Sequence, residues 1–373
     1  MVRDLQQELY LYSAAYILYS IKNSPVAEDN MDQKFVLEWI SFRDTIYFGF
    51  IIWLNNNMKT MTKEQTFKTV QKYFNPTHRQ HFVKIEYLSK WSKDNVTINA
   101  VNKKSLKKLT IGLRDVCVKN NFYRMYHYFN DVELYIIRNY YKNEDPFIQS
   151  ACEETLQQWQ SQTKKIQICK QLMPDEAKIL ENFEIQSGEQ YQTEFENHFF
   201  QVVNEYVSKL DSSFLNDEMI KAKFCVGLAV QYLRTNGMHT KLINGMAEID
   251  RHHNISGVKI NFEQLAKITT NIFAIKMAWQ LIKQGNLHIE WLVSNKAFIT
   301  SDMPVVHIGE KNERGFAINM VFFLPINPHL AIVFPSKETK QRLLTDDELK
   351  IYNNLEKENA DLFFFEVSDE HGQ

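Results

Sequence analysis

The residues that could do chemistry in this sequence are few and far apart. Asp302 stands where an apolar, β-branched run, Phe298-Ile-Thr-Ser-Asp302, meets Pro304 two residues on. A carboxylate at the end of a strand is well placed as a metal ligand or general base. The same Ser301-Asp302 pair can equally close an Asx-type turn before the proline. Gln231 and Arg234 lie three residues apart, on one face of a segment that is otherwise apolar. A buried arginine needs a carboxylate or phosphate partner, so this pair predicts either an internal ion pair, with Glu194, Glu196 or Asp302, or an anion site. His81, beside Phe82 and Val83, reads either as a hydrogen-bonded core side chain or as an acid/base group. Arg234 and His239 also have the R-x4-H spacing of ribonucleases of the HEPN kind, where acid/base chemistry is joined to phosphate stabilisation. Here Gly237 is expected to end the helix between them.

Other chemistries have little support. No phosphate-binding glycine loop, G-x-S-x-G elbow or H-E-x-x-H helix is present. Glu338-Thr-Lys340 has the E-x-K spacing of restriction-type nucleases, but it follows Pro335 and the preceding strand instead of lying in one. His252-His253 is expected in a polar surface loop. The four cysteines, Cys117, Cys152, Cys169 and Cys225, form no C-x2-C pair, which argues against thiolate zinc and against a disulfide framework. The net charge of −2 gives no general affinity for nucleic acid. Lys103, Lys104, Lys107 and Lys108 form the densest basic stretch and read first as a solvated face. The longest apolar run, 46–54, is about half a bilayer span. With no signal-peptide pattern, a cytoplasmic chain and no membrane partner are expected.

The elements that must position these residues change character along the chain. Residues 1–75 read as a helical extension, closed by the turn signal Asn75-Pro76. Residues 76–373 read as one module. A strand is predicted over 96–101, then a helical core over about 120–285, interrupted at Pro146 and at Ser187-Gly188. Phe195, Phe199, Val202, Val203 and Tyr206 mark one amphipathic helix. The next, capped by Asn216, is apolar nearly all round and is expected to be central. Asn261 and Gln264 have capping-box spacing before a helix that ends at Gly285. Beyond Gly285 the apolar period falls from about 3.6 to 2 residues, giving strands over 298–301, 316–324, 330–334 and 362–367 and a helix over 346–357. Helices first and a mostly antiparallel sheet last, over about 286–370, make an α+β fold.

Several of these segments together carry a resemblance. His78-Arg-Gln-His81-Phe-Val with Tyr87-Leu88 and Trp91 resembles the HYVPQFYL-type opening of domain-of-unknown-function family 4238. Asn121-Phe-Tyr123, Gln231-Tyr-Leu-Arg234-Thr235, Phe298-Ile-Thr-Ser-Asp302-Met-Pro304, the Pro325 and Pro328 turn, and Asn353 with Ala360 resemble later family segments in order. Lys84-Ile85 and Met303 depart from the family's usual Pro-Gln and Asn. The resemblance spans about 78–370. Some members of that family lie in bacterial phage-defence loci, which implies a nucleic-acid-directed effector. On that expectation the protein is a phosphodiester hydrolase. His81 serves as acid/base, Glu196 and Asp302 as bases or ligands of a divalent cation, and Gln231, Arg234 and Ser301 bind substrate. The other expectation is a non-catalytic binding or sensor protein whose polar motif residues hold the fold, with residues 1–75 docking a partner.

Overall fold

The protein is represented by a computed structural model that describes residues 76–172, 174, 177–253, 259–313 and 317–367. The chain divides into two compact units, 1–71 and 72–373, and all described residues belong to the second. The helices expected over 1–75 lie outside the described residues.

Eight α-helices and eleven strands are found among the described residues. The helical part begins with the short α1 (Ile85–Leu88) and α2 (Asp131–Asn139). It continues through α3 (Pro146–Leu172), α4 (Ala177–Glu205), α5 (Glu218–Leu233), α6 (Asn236–His253) and α7 (Phe262–Ile282). Pro146 opens α3 instead of interrupting a longer helix, because the first helical position needs no N–H donor. Cap choice departs from expectation at α5. The carboxylate of Asp217 accepts from the N–H groups of Met219 and Ile220 at 2.9 and 3.0 Å, while Asn216 completes a preceding 3-10 turn. A negative charge is favoured at that end of the helix dipole. At α7, Asn261 accepts from the Gln264 N–H as expected. The Gln264 side chain, however, leaves its own helix to accept from the Tyr126 N–H and donate to the Arg124 carbonyl.

The largest departure is at Ser187-Gly188, where a break was expected and α4 runs straight through. A Cβ at Gly188 would stand 1.8 Å from the Tyr123 carbonyl oxygen. Glycine there makes room for a neighbouring backbone and does not end the helix. His252-His253 likewise fall in the last turn of α6 and not in a loop.

α5 is central, as its pattern predicts. Phe224, Leu228 and Ala229 are fully buried between α4 and α7. Phe224 stacks on Phe199 of α4 at 5.4 Å. On its other side it meets Phe334 edge-on at 5.0 Å, which joins the helices to a sheet.

That sheet has five strands, ordered β10 (Lys340–Leu343), β5 (His288–Val293), β9 (Leu330–Ser336), β8 (Phe322–Asn327), β7 (Val306–His307). It is antiparallel except for the β10–β5 pair. Gly285, at φ +76°, sits in the left-handed conformation after α7 and lets the chain turn into β5. A second, wholly antiparallel sheet is ordered β3 (Lys108–Gly112), β2 (Thr97–Asn102), β11 (Phe363–Glu366), β6 (Thr300–Ser301). It joins β2 and β3, early in the unit, to its last strand. Helix α8 (Asp346–Asn359) carries a full capping box of Thr345 and Glu348. A two-stranded ribbon pairs β1 (Arg79–His81) with β4 (Val118–Asn120). The class is α+β, with a mostly antiparallel sheet toward the C-terminus.

Candidate functional site

The polar residues singled out in the sequence fall into two groups. The first surrounds Asp302. Its side chain is only 3% exposed and accepts three backbone hydrogen bonds, from Asp361 at 2.8 Å, Leu362 at 2.8 Å and Phe363 at 3.1 Å. The carboxylate therefore fixes the chain where it enters β11. Burial pushes its pKa up to about 6, against the pull of those three N–H groups. Ser301 is buried on β6 and its hydroxyl accepts from the Met303 N–H at 3.2 Å, the turn geometry that the sequence offered as one alternative.

The rest of this group ties distant segments together. Tyr87 places its hydroxyl 2.7 Å from Thr300 Oγ1 and donates to the Pro325 carbonyl at 2.8 Å. Trp91 donates to the Phe298 carbonyl at 2.8 Å. Asn353 of α8 accepts from the Ile299 N–H and donates to the Ala297 carbonyl. Glu356, fully buried on the same helix, has its carboxyl pKa raised well above the usual range by burial.

The second group surrounds Arg234, which caps the C-terminal end of α5 and is 4% exposed. Each guanidinium nitrogen is engaged. Nε donates to the Tyr123 hydroxyl at 2.9 Å and Nη2 to the His81 carbonyl at 2.7 Å. Nη1 lies 3.0 Å from Glu196 Oε1 in a buried ion pair. Of the three carboxylates the sequence offered, Glu196 is the partner. Gln80 extends the knot by accepting from the Tyr123 N–H and donating to the Ile185 carbonyl of α4. The His81 backbone, not its ring, meets Arg234. Burial lowers the pKa of that ring, opposed by the Leu113 and Arg114 backbone, and its Nε2 has no hydrogen-bond partner among the described residues. Gln231, one turn before Arg234, is buried with its Nε2 unpartnered among the described residues.

The structure thus brings His81, Glu196 and Arg234 together, with Gln231 on the same helix face. Ser301 and Asp302 belong to the other group, and their hydrogen bonds lead elsewhere. Among the described residues no three His, Cys, Asp or Glu side chains gather to hold a metal ion. Glu196 and Asp302, expected as joint ligands of a divalent cation, have separate partners. Glu338 and Lys340 form an exposed ion pair at 2.7 Å, with Lys340 opening β10.

A small cavity of about 30 Å³ lies beside the Arg234 knot. Phe122, Tyr123, Trp159 and Tyr191 supply its aromatic wall, and Gly188 its floor on α4. Arg234, His239, Lys267, Gln192 and Asn271 supply its polar wall. Arg234 and His239 thus line one cavity, although the helix breaks at 234–235 and not at Gly237, which lies inside α6. α5 ends at Leu233 and α6 begins at Asn236, and the bend turns both side chains toward the same cavity. Burial brings the His239 pKa down to about 4, so the imidazole is neutral. Lys267 donates to Glu263 at 2.9 Å and to the Arg124 carbonyl at 3.0 Å. Gln192 donates to Asn271 Oδ1 at 3.1 Å. Gln192, Lys267 and Asn271 were not singled out from the sequence. The signal that could have found them is an amide on an otherwise apolar helix face, as Asn271 is within α7.

The family model described as "Protein of unknown function (DUF4238)" matches residues 79–371. The chain belongs to the DUF4238 family. It matches no curated protein and no solved structure. In this DUF4238 chain the segments that carry the resemblance are the ones the two polar groups join. Tyr87 and Trp91 bond to the strand of Thr300, and Arg234 bonds to the opening strand and to Tyr123. Among the described residues no helix is long and apolar enough to cross a membrane.

Proposed function

We propose that this DUF4238 chain is a cytoplasmic binding or sensor protein whose motif residues hold the fold and whose working site is the cavity beside Arg234. One observation carries this reading. The motif side chains Asp302, Tyr87 and Trp91 direct their hydrogen bonds to backbone and side chains of the fold, whereas Arg234, Gln192, His239, Lys267 and Asn271 converge on one aromatic-walled cavity. Aromatic walls with a few convergent polar side chains are the usual make-up of a small-ligand site. The phage-defence role implied by the family resemblance, and partner docking by residues 1–75, belong to the same proposal. The test is the thermal unfolding of wild type and Gln192→Leu in a low-molecular-weight ultrafiltrate of bacterial cells. A rise in Tm for wild type alone supports the reading, and no rise for either overturns it.

A second reading, a phosphodiester hydrolase acting on nucleic acid, is favoured by one geometric fact: Arg234 and His239 line the same cavity. His239 would then carry acid/base work from its neutral form. RNA cleavage by wild type that is lost in His239→Ala, with folding retained, supports it. Equal cleavage by both removes it.

A further inference from the structure

We propose that the tip of the β2–β3 hairpin is a peripheral docking surface for an anionic bilayer, which it meets through Lys103, Lys104, Lys107 and Lys108, with Leu106 set into the headgroup layer. The surface is separate from the cavity. The first argument is charge. Four lysines fall within the six positions 103–108. Lys104, Ser105, Leu106, Lys107 and Lys108 are all exposed. Among the described residues these ammonium groups make one ion pair, Lys108 with Glu366 at 3.6 Å, and the Lys108 side chain is still 82% exposed. Lys103 donates to the carbonyls of Glu358 and Ala360, both at 2.7 Å, which fixes its charge at the base of the tip without neutralising it. The tip is thus a concentrated positive patch on a chain whose net charge is −2.

Charge alone describes a solvated face. The second argument is that the same tip holds apolar surface out into solvent. Leu106 is 68% exposed, and Leu362, whose carbonyl accepts from the Lys103 N–H at 2.8 Å, is 45% exposed. Leu106 also has φ +56°, a left-handed conformation that is costly for a bulky side chain. The surrounding turn enforces it. The Asn102 side chain accepts from the N–H groups of Lys104 and Ser105 at 3.1 and 2.9 Å and from the Ser105 hydroxyl at 3.0 Å. The Leu106 N–H closes on the Asn102 carbonyl at 2.8 Å. The prong is therefore preorganised, at a position where glycine or asparagine would make the easier turn. A bilayer surface matches both features, with anionic headgroups for lysine and the acyl boundary for leucine. A nucleic-acid backbone matches only the first, and 103–108 hold no arginine, amide or aromatic side chain to read or stack on bases. Docking of this kind needs no membrane-crossing helix, and it departs from the sequence expectation of no membrane partner.

Vesicle co-sedimentation of the full chain tests this. The probes are phosphatidylcholine vesicles with about 30% phosphatidylserine, neutral phosphatidylcholine vesicles, and a DNA duplex as a soluble polyanion. The proteins are wild type, the double variant Lys104→Glu with Lys107→Glu, and Leu106→Asn, each checked for a cooperative melt. Asparagine accepts the left-handed backbone, so Leu106→Asn should melt no lower than wild type. The expected result is that wild type binds the anionic vesicles and not the neutral ones, with affinity that falls as salt rises. Binding should weaken at least about tenfold in the double variant, from about fivefold per lysine, and several-fold in Leu106→Asn at unchanged charge. No binding to anionic vesicles, equal binding to neutral ones, or undiminished binding by either variant overturns the proposal. Binding of the duplex but not of vesicles, lost in the double variant, also overturns it and assigns the patch to nucleic acid.

Discussion

Asp302 holds three backbone N–H groups on one buried carboxylate, and Arg234 holds a hydroxyl, a carbonyl and a carboxylate on one guanidinium. Both were singled out as groups that could act on a substrate, and their residue types alone gave no way to decide between action and support. Their partners give one. A removed acceptor leaves each buried donor unsatisfied, at roughly 1–3 kcal/mol apiece before relaxation. Asp302→Ala should therefore destabilise the protein by about 3 kcal/mol or more, lowering Tm by roughly 5–10 °C. Calorimetry measures it directly, and an unchanged Tm would mean that the carboxylate does not tie down the start of β11.

At the scale of elements, the instructive case is Gly188. Read along the chain, Ser187-Gly188 is a helix breaker. In the fold its missing side chain lets α4 lie against the backbone of Tyr123. The two readings predict opposite signs for Gly188→Ala. In an open helix the change adds about 1 kcal/mol of stability. Here the new methyl would displace backbone, so a loss of about 2 kcal/mol or more is expected, with reduced order at the cavity floor. Urea denaturation distinguishes the two by the sign of the shift in midpoint. The bend between α5 and α6 teaches the same lesson, because a local break in the helix is what aims both Arg234 and His239 at one cavity.

Across the whole molecule, the buried titratable groups act against one another as pH falls. His239 has its pKa lowered from 6.5 to about 4, so the folded state binds fewer protons than the unfolded one. Its contribution is present above about pH 6.5 and is lost as pH falls toward 4. Asp302 is raised from 3.8 to about 6. Its contribution is present below pH 3.8 and is lost as pH rises through 6. The two partly cancel between these limits, and a variant separates them. Relative to wild type, His239→Phe should gain on the order of 2 kcal/mol between pH 7.5 and pH 4.5, read from urea unfolding at both values. An identical difference at the two pH values would mean that His239 is not a buried neutral imidazole.

How much of this was legible depends on the distance over which each feature is encoded. Periodicity and punctuation lie within a few residues of one another. The central helix of Phe224, the stop at Gly285, the strands near 330–336 and 363–366 and the α+β class could therefore be read directly from the chain, whereas the strand expected over 316–324 forms at Phe322–Asn327. The ordered motifs from His78 to Ala360 likewise marked the family span. The two-stranded ribbon, the parallel β10 and the sheet that joins β2 to β11 could not be read. Strand pairing is a contact between remote segments, and short strands leave no period of their own. The same holds for the site. The sequence supplied His81, Glu196, Arg234, His239 and Asp302 as chemical types. Only the tertiary structure decided that Arg234 takes Glu196, that Asp302 takes three amides, and that Gln192 and His239 meet Arg234 at one cavity. Burial and partner choice are set by what lies across the core, and the residues that meet there, Tyr123 and Arg234 or Asp302 and Leu362, are separated by 111 and 60 positions.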